Sequence, residues 1–316
     1  PPGSPPPPPG PPPNRCLVFA RPMADFELCP DLFHADLRRR QLMFAAFDRV
    51  DLRFAQLDGA NMSHAAFTRA DCHNASFREA GLQEAQFQAS ELVGASFARA
   101  TMTSCKLGNV RLAGADLSDA DLRKADLQSA EGADVTFVRA RLEGAIVSAS
   151  SFTRATFSSA DLRDSRWEQT DLSDSVFTRC QFSRAAMAGS KLSRVELSDA
   201  DLSDADLSGS SFKSAKLRRA RLERTVLQGT DLSGADATDA TFRSAVLDKA
   251  NLAGATLRGA SFANAKIAEA SFRGADIEGA SFVDAIGLQY ADFFGVSGRA
   301  AGLEAFMPPV IPKAGR

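Results

Sequence analysis

The side chains in this sequence that are able to do chemistry are few and scattered. Histidine occurs at His34, His64 and His73. None has a second His or a Cys at the short spacing that holds a metal ion, so all three are expected on the solvated surface. The cysteines are Cys16, Cys29, Cys72, Cys105 and Cys180. An odd number argues against a disulfide framework and for a reducing, cytoplasmic compartment. Cys16 and Cys29 lie in one N-terminal segment, but nothing in their spacing demands a bridge. Ser and Asp are abundant, yet no Ser/His/Asp group with a nearby base stands out. No glycine-rich phosphate loop lies between a strand and a helix. No catalytic residue, cofactor or metal ligand is therefore expected, and the protein is not expected to be an enzyme.

What positions these residues is a repeat. In Ala115–Ala130 the string ADLSDADLRKADLQSA returns every five residues. Stepping by five from Leu37 to Phe282, every centre is Leu, Phe, Ile, Val, Met or Trp, with Cys72, Gly132 and Ala237 as the exceptions. Two residues before each centre sits a small residue, mostly Ala, and Arg40 alone is large and charged there. The phase never slips. A period of five fits neither an amphipathic helix nor a plain strand. Residues two apart point to the same side of an extended chain, so small residue and centre share an interior. A chain that turns one corner every five residues closes a coil in 20, and successive coils stack at ~4.8 Å.

Units such as Ala120-Asp121-Leu122-Arg123-Lys124 and Ala250-Asn251-Leu252-Ala253-Gly254 resemble those of the pentapeptide-repeat family, A(D/N)LXX. The resemblance implies an all-β fold, a right-handed quadrilateral β-helix of about a dozen coils. The expected organisation is a Pro-rich linker at 1–13, an N-terminal cap at 14–34, the solenoid at 35–285 and a C-terminal cap or tail at 286–316. The linker reading makes the chain a module of a larger bacterial protein. The N-terminal segment is expected to cover the outward Met43, Phe44 and Phe54. After the repeat, a turn and a short helix near Gly298–Phe306 are expected.

Residues 20 apart should stack. The chain holds 23 Phe against one Trp and one Tyr, the mark of a repeated slot. Phe47, Phe67 and Phe87, then Phe137, Phe157 and Phe177, then Phe242, Phe262 and Phe282 should form columns. Trp167 is expected to bulge the coil locally. Gly132 and Ala237 should leave cavities or kinks. Cys72, Cys105 and Cys180 fall at inward positions and read as core.

Function must then come from the surface. With 37 basic and 39 acidic residues the net charge is −2, which suits neither a general nucleic-acid binder nor a strongly acidic imitator of one. DNA binding is not expected. No run approaches the ~20 apolar residues of a membrane span, so no membrane association is expected either. Acid and base alternate one coil apart on the face through Leu37, as at Asp119 and Arg139, which predicts inter-coil pairing. The acidic group Glu196, Asp199, Asp201, Asp204 and Asp206 is the local candidate for DNA mimicry, because the family resemblance includes gyrase-protecting factors. The face through Phe47 is weakly charged, with Ile146, Val226 and Val246 outward, and is the candidate docking strip, where a partner is expected rather than at the ends. Phe293, Phe294 and Phe306 are the candidate C-terminal contact, with a homodimer as one form it takes. The leading expectation is a rigid interaction or spacer module with a protein partner. A topoisomerase-protecting DNA mimic and a secretion-system effector or accessory are the alternatives.

Overall fold

A computed structural model describes residues 20–29 and 31–305. The chain winds as a four-sided coil. The residue before each centre forms a parallel bridge to the residue 20 further on, from Asp31↔Asp51 without a break to Lys266↔Ile286. Each unit repeats one hydrogen-bond set. The Leu37 amide donates to the Gln56 carbonyl at 2.8 Å, the Gln56 amide to the Ala35 carbonyl at 2.9 Å and the Arg39 amide to the Asp58 carbonyl at 2.9 Å. Backbone polarity is thereby satisfied between coils, with one paired position on each side, too few for a conventional strand.

Corners explain the step of five. Every fifth residue from His34 to Asp284 has positive φ, whether glycine or not. The Ala45 amide closes such a turn on the Leu42 carbonyl at 3.1 Å, and the φ pattern is that of a type II turn. The Asp or Asn before the centre stabilises the corner: Asp116 Oδ1 accepts the Ser118 amide at 3.0 Å, and Asn251 Oδ1 the Ala253 amide at 3.1 Å. The A(D/N)LXX preference for Asp and Asn is thus a local side-chain turn.

Small residue and centre are buried from unit to unit, with Arg40 the exposed exception, and together they fill the rod. The expected ring columns form. Phe47, Phe67 and Phe87 stack at 4.7 and 4.5 Å, Phe137, Phe157 and Phe177 at 4.6 Å for each step, and Phe242, Phe262 and Phe282 at 4.8 and 4.7 Å. Where Ser, Thr or Cys stands in the small slot it commonly bonds a centre carbonyl one coil back, whereas Ser165 bonds the Leu162 carbonyl of its own coil. Ser190 Oγ donates to the Trp167 carbonyl at 2.6 Å, and Cys180 Sγ lies 2.9 Å from that of Phe157. Burial pushes the Cys180 thiol up to about 12, and the Cys72 and Cys105 thiols upward as well. These three are free and buried, and inert as nucleophiles.

Several expectations need correction. Trp167 causes no bulge. The bridges Ile146↔Arg166↔Ala186 stay in register, and Trp167 is buried with Nε1 donating to Ser165 Oγ at 2.7 Å. A polar partner in the adjoining small slot makes room for the indole. Gly132 leaves no hole. A Cβ there would lie 2.6 Å from Val135 Cγ2 and 3.0 Å from the Phe152 ring, so its neighbours have already filled the space. Phe44 and Phe54 remain exposed, although His34 of the N-terminal segment stacks on Phe54. Cys29 is disulfide-bonded, its partner lying outside the described residues.

The ends also differ. Asp25 already bridges Ala46, a 21-residue step, and Phe26 stacks on Phe47 at 4.6 Å. At the other end the expected short helix is absent from the described residues. Ala301 instead bridges Ser281, and the one helical element described is the 3-10 turn Leu288–Tyr290. That turn adds a residue to its corner, giving the 21-residue steps Ser271↔Asp292 and Asp276↔Ser297. Gly298, at φ 87°, comes so close to the coil below that a Cβ would lie 2.6 Å from the Glu278 nitrogen. Residues 1–19, including the Pro-rich tract and Cys16, and Phe306 with the final prolines lie outside the described residues.

Candidate interaction surfaces

The corners carry most of the charge chemistry. Each outward corner side chain lies beside its counterpart 20 residues away, and in the middle of the rod acid and arginine alternate there. Asp119–Arg139, Asp134–Arg154, Asp164–Arg184, Asp174–Arg194, Asp199–Arg219 and Asp204–Arg224 are bidentate, with N–O distances of 2.6–2.8 Å. Arg99 pairs with Glu79 likewise. The hydrogen-bonded guanidinium holds each of these six aspartates below the usual carboxylate range. A second family of pairs lies within single units, where Asp before the centre meets Arg after it, as in Asp121–Arg123 and Asp161–Arg163 at 2.6 Å.

Coil by coil the charges form layers. Residues 176–195 hold Arg179, Arg184, Lys191 and Arg194 and no acid. Residues 196–215 hold Glu196, Asp199, Asp201, Asp204 and Asp206 with only Lys213 opposing. Above them come Lys216, Arg218, Arg219, Arg221 and Arg224. The acidic group is thus brought together as one layer, but it is sandwiched and paired. Glu196 lies 3.5 Å from Lys216 and Asp201 3.5 Å from Arg221. Asp206 accepts the Ser208 amide at 3.0 Å. An acidic layer between two basic ones presents no continuous negative strip.

The candidate docking strip is interrupted. Val226 and Val246 bridge one another, but Asp206 and Lys266 flank them, and Ile146 sits between Asp126 and Arg166. All three are half-buried. The C-terminal candidates divide. Phe293 stacks on Phe272 at 4.8 Å as a continuation of the core, whereas Phe294 is 72% exposed under the Arg273 guanidinium at 4.9 Å. The histidines do not converge. His34 stacks on Phe54, His64 on Phe44 with Glu84 at 3.5 Å, and His73 meets Asp71 at 2.5 Å. Among the described residues no cluster of three or more His, Cys, Asp or Glu is arranged for a metal. No described helix is long and apolar enough to cross a membrane.

Sequence reading singled out Phe44, Phe54 and Phe294, but not the other apolar side chains exposed beside them. The large apolar side chains exposed among the described residues are Met23, Leu28, Phe33, Phe44 and Phe54 at one end, and Val283, Ile286, Tyr290 and Phe294 at the other. The long shaft between them has none.

Family models describe this architecture. A pentapeptide-repeat model of eight copies matches residues 45–80, 82–119, 111–148, 136–174, 150–189 and 245–284, and a pentapeptide repeat region model matches 175–252. The chain belongs to the pentapeptide-repeat family. Members form right-handed quadrilateral β-helices, which gives the coil its hand. Similar solved structures include HetL, a pentapeptide-repeat protein involved in heterocyst differentiation regulation from the cyanobacterium Nostoc sp. strain PCC 7120. It is 25% identical over 86% of this chain and 94% of its own, with a TM-score of 0.27. QnrB1, a plasmid-mediated fluoroquinolone resistance protein, is 22% identical over 55% and 93%, with a TM-score of 0.34. A pentapeptide-repeat protein of the Arabidopsis thaliana thylakoid lumen is 33% identical over 29% and 59%, with a TM-score of 0.25. No curated protein matches the chain. The family assignment rests on the repeat models.

Proposed function

We propose that this pentapeptide-repeat protein is a rigid, non-catalytic rod, of about a dozen coils between two capping ends, that engages a protein partner at an end. The observation that carries this is the segregation of exposed apolar side chains to the two ends. A shaft with none, and with its charges paired from coil to coil, offers little to desolvate, whereas Tyr290 (66% exposed) and Phe294 form an anchor of the kind that dominates interfaces. The interior is filled by its own side chains, and a groove of about 540 Å³ beside Lys124, Gly144 and Asp164 lies at the surface. A site that excludes water from a substrate has no place in such a rod. The paired acidic layer likewise speaks against imitation of DNA.

The test uses Tyr290→Glu with Phe294→Glu in the full chain. Association, measured by sedimentation for self-association and by co-purification for a partner, should be lost, while thermal unfolding stays unchanged. Association that survives this pair and is lost in Val226→Glu with Val246→Glu would move docking to the Phe47 face.

A further inference from the structure

Along one corner of the rod the outward side chains run Asp119, Arg139, Ser159, Arg179, Asp199 and Arg219, one per coil. Acid and base alternate, and Ser159 stands where the alternation calls for an acid. In all six bidentate corner pairs the arginine reaches back to the aspartate 20 residues before it. By that rule the partner of Arg179 is Ser159, a hydroxyl. The other cations of its layer are served. Arg184, Lys191 and Arg194 lie 2.7, 3.6 and 2.7 Å from Asp164, Asp171 and Asp174, each one coil back. Among the described residues, no hydrogen bond or ion pair engages the Arg179 guanidinium.

We propose that Arg139, Ser159 and Arg179 form a binding site for a tetrahedral oxyanion, a phosphate or the phosphoryl group of a phosphomonoester. Arg139 is already fixed, with Nε and Nη2 on Asp119 at 2.7 and 2.6 Å, which leaves Nη1 uncommitted. Ser159 adds a hydroxyl on an exposed corner whose backbone is held, at φ 61° with its amide donating to the Thr178 carbonyl at 2.9 Å. The two arginines stand two coil steps apart, about 10 Å along the rod. A carboxylate, with both oxygens on one edge, serves a single guanidinium fork. A tetrahedral anion presents oxygens on opposite sides and accepts charge-assisted bonds from both arginines. Its charge restores the alternation that Ser159 interrupts. Neighbouring carboxylates are committed elsewhere, Asp161 to Arg163 at 2.6 Å and Asp199 to Arg219 at 2.7 and 2.8 Å. The site lies on the shaft, away from the exposed apolar ends, so it neither rests on the partner reading nor competes with it.

The test is titration of the full chain, carrying nitrogen-labelled arginine, with inorganic phosphate at constant ionic strength, chloride making up the balance. Saturable shifts of the Arg179 and Arg139 side-chain Nε–Hε resonances are expected, together with a rise in thermal midpoint, because a ligand that binds only the folded rod stabilises it. Both responses should be lost in Arg179→Gln and in Ser159→Asp. The second substitution should also raise the midpoint without phosphate, since Asp tolerates positive φ and supplies the missing acid. Both positions are exposed corners, so the amide spectrum of the shaft should stay unchanged. Shifts that fail to saturate, or that chloride alone reproduces, overturn the proposal, as does a response that survives Arg179→Gln. Acetate binding as tightly as phosphate assigns the gap to a carboxylate and overturns the tetrahedral reading. Methyl phosphate in place of inorganic phosphate separates the sources: tighter binding assigns the site to a phosphomonoester, weaker binding to free phosphate.

Discussion

A corner residue of this protein must sit at positive φ, where a Cβ is costly by roughly 1–2 kcal/mol. Asp and Asn offset this with local hydrogen bonds, and Arg does so through the neighbouring coil's carboxylate. Ala149, at φ 59°, has neither resource. Ala149→Gly should therefore stabilise, by up to ~1 kcal/mol after the larger unfolded-state entropy of glycine is counted, read as a higher denaturant midpoint. A lower midpoint would show that alanine carries no strain there. The opposite holds at Gly132, where the backbone is not the difficulty. A Cβ would press on Val135 and Phe152, so Gly132→Ala should destabilise by ~1–3 kcal/mol through overpacking. An unchanged midpoint would mean that Phe152 shifts freely.

At the scale of the coil, stability comes from columns. Phe157 is fully buried and stacked between Phe137 and Phe177, with Trp167 edge-on at 5.6 Å. Phe157→Ala should cost ~3–5 kcal/mol, because neighbours fixed by bonds on both sides have little freedom to collapse inward. Denaturant unfolding measures it, and a cost below ~1 kcal/mol would place Phe157 outside a packed column. The columns were legible because one period governs every unit. The end coils were legible only in part. The one-residue shift at Ala24-Asp25-Phe26 can be read from its phase, but the 3-10 turn at Leu288–Tyr290 has no periodicity to announce it.

Over the whole molecule, acidic and basic layers alternate, and this sets a pH response. The paired aspartates are held below their usual range by Arg, so their folded-state pKa lies below the unfolded value of about 3.9. The pairing then contributes fully above about pH 4 and is lost as pH falls through the folded-state values. The thermal midpoint should be flat from about pH 7 to 5 and fall toward pH 2, and the fall should shrink in high salt, which already screens exposed pairs. A midpoint unchanged down to pH 2 would mean that the layers match charge without stabilising the rod.

The sequence alone determined the coil, its register, its buried columns and even which charges face each other. All of these follow from residue identity at fixed multiples of five, and a strictly periodic backbone converts spacing directly into contact. The tertiary structure decided what periodicity leaves open. It filled the space at Gly132 from the side and seated Trp167 without a bulge. It also put every exposed large apolar side chain among the described residues at an end. The reason is physical. A position in the middle of the shaft has a neighbour above and below that covers or neutralises it, whereas an end coil lacks one, and its outward residues keep the surface that a periodic neighbour would have taken.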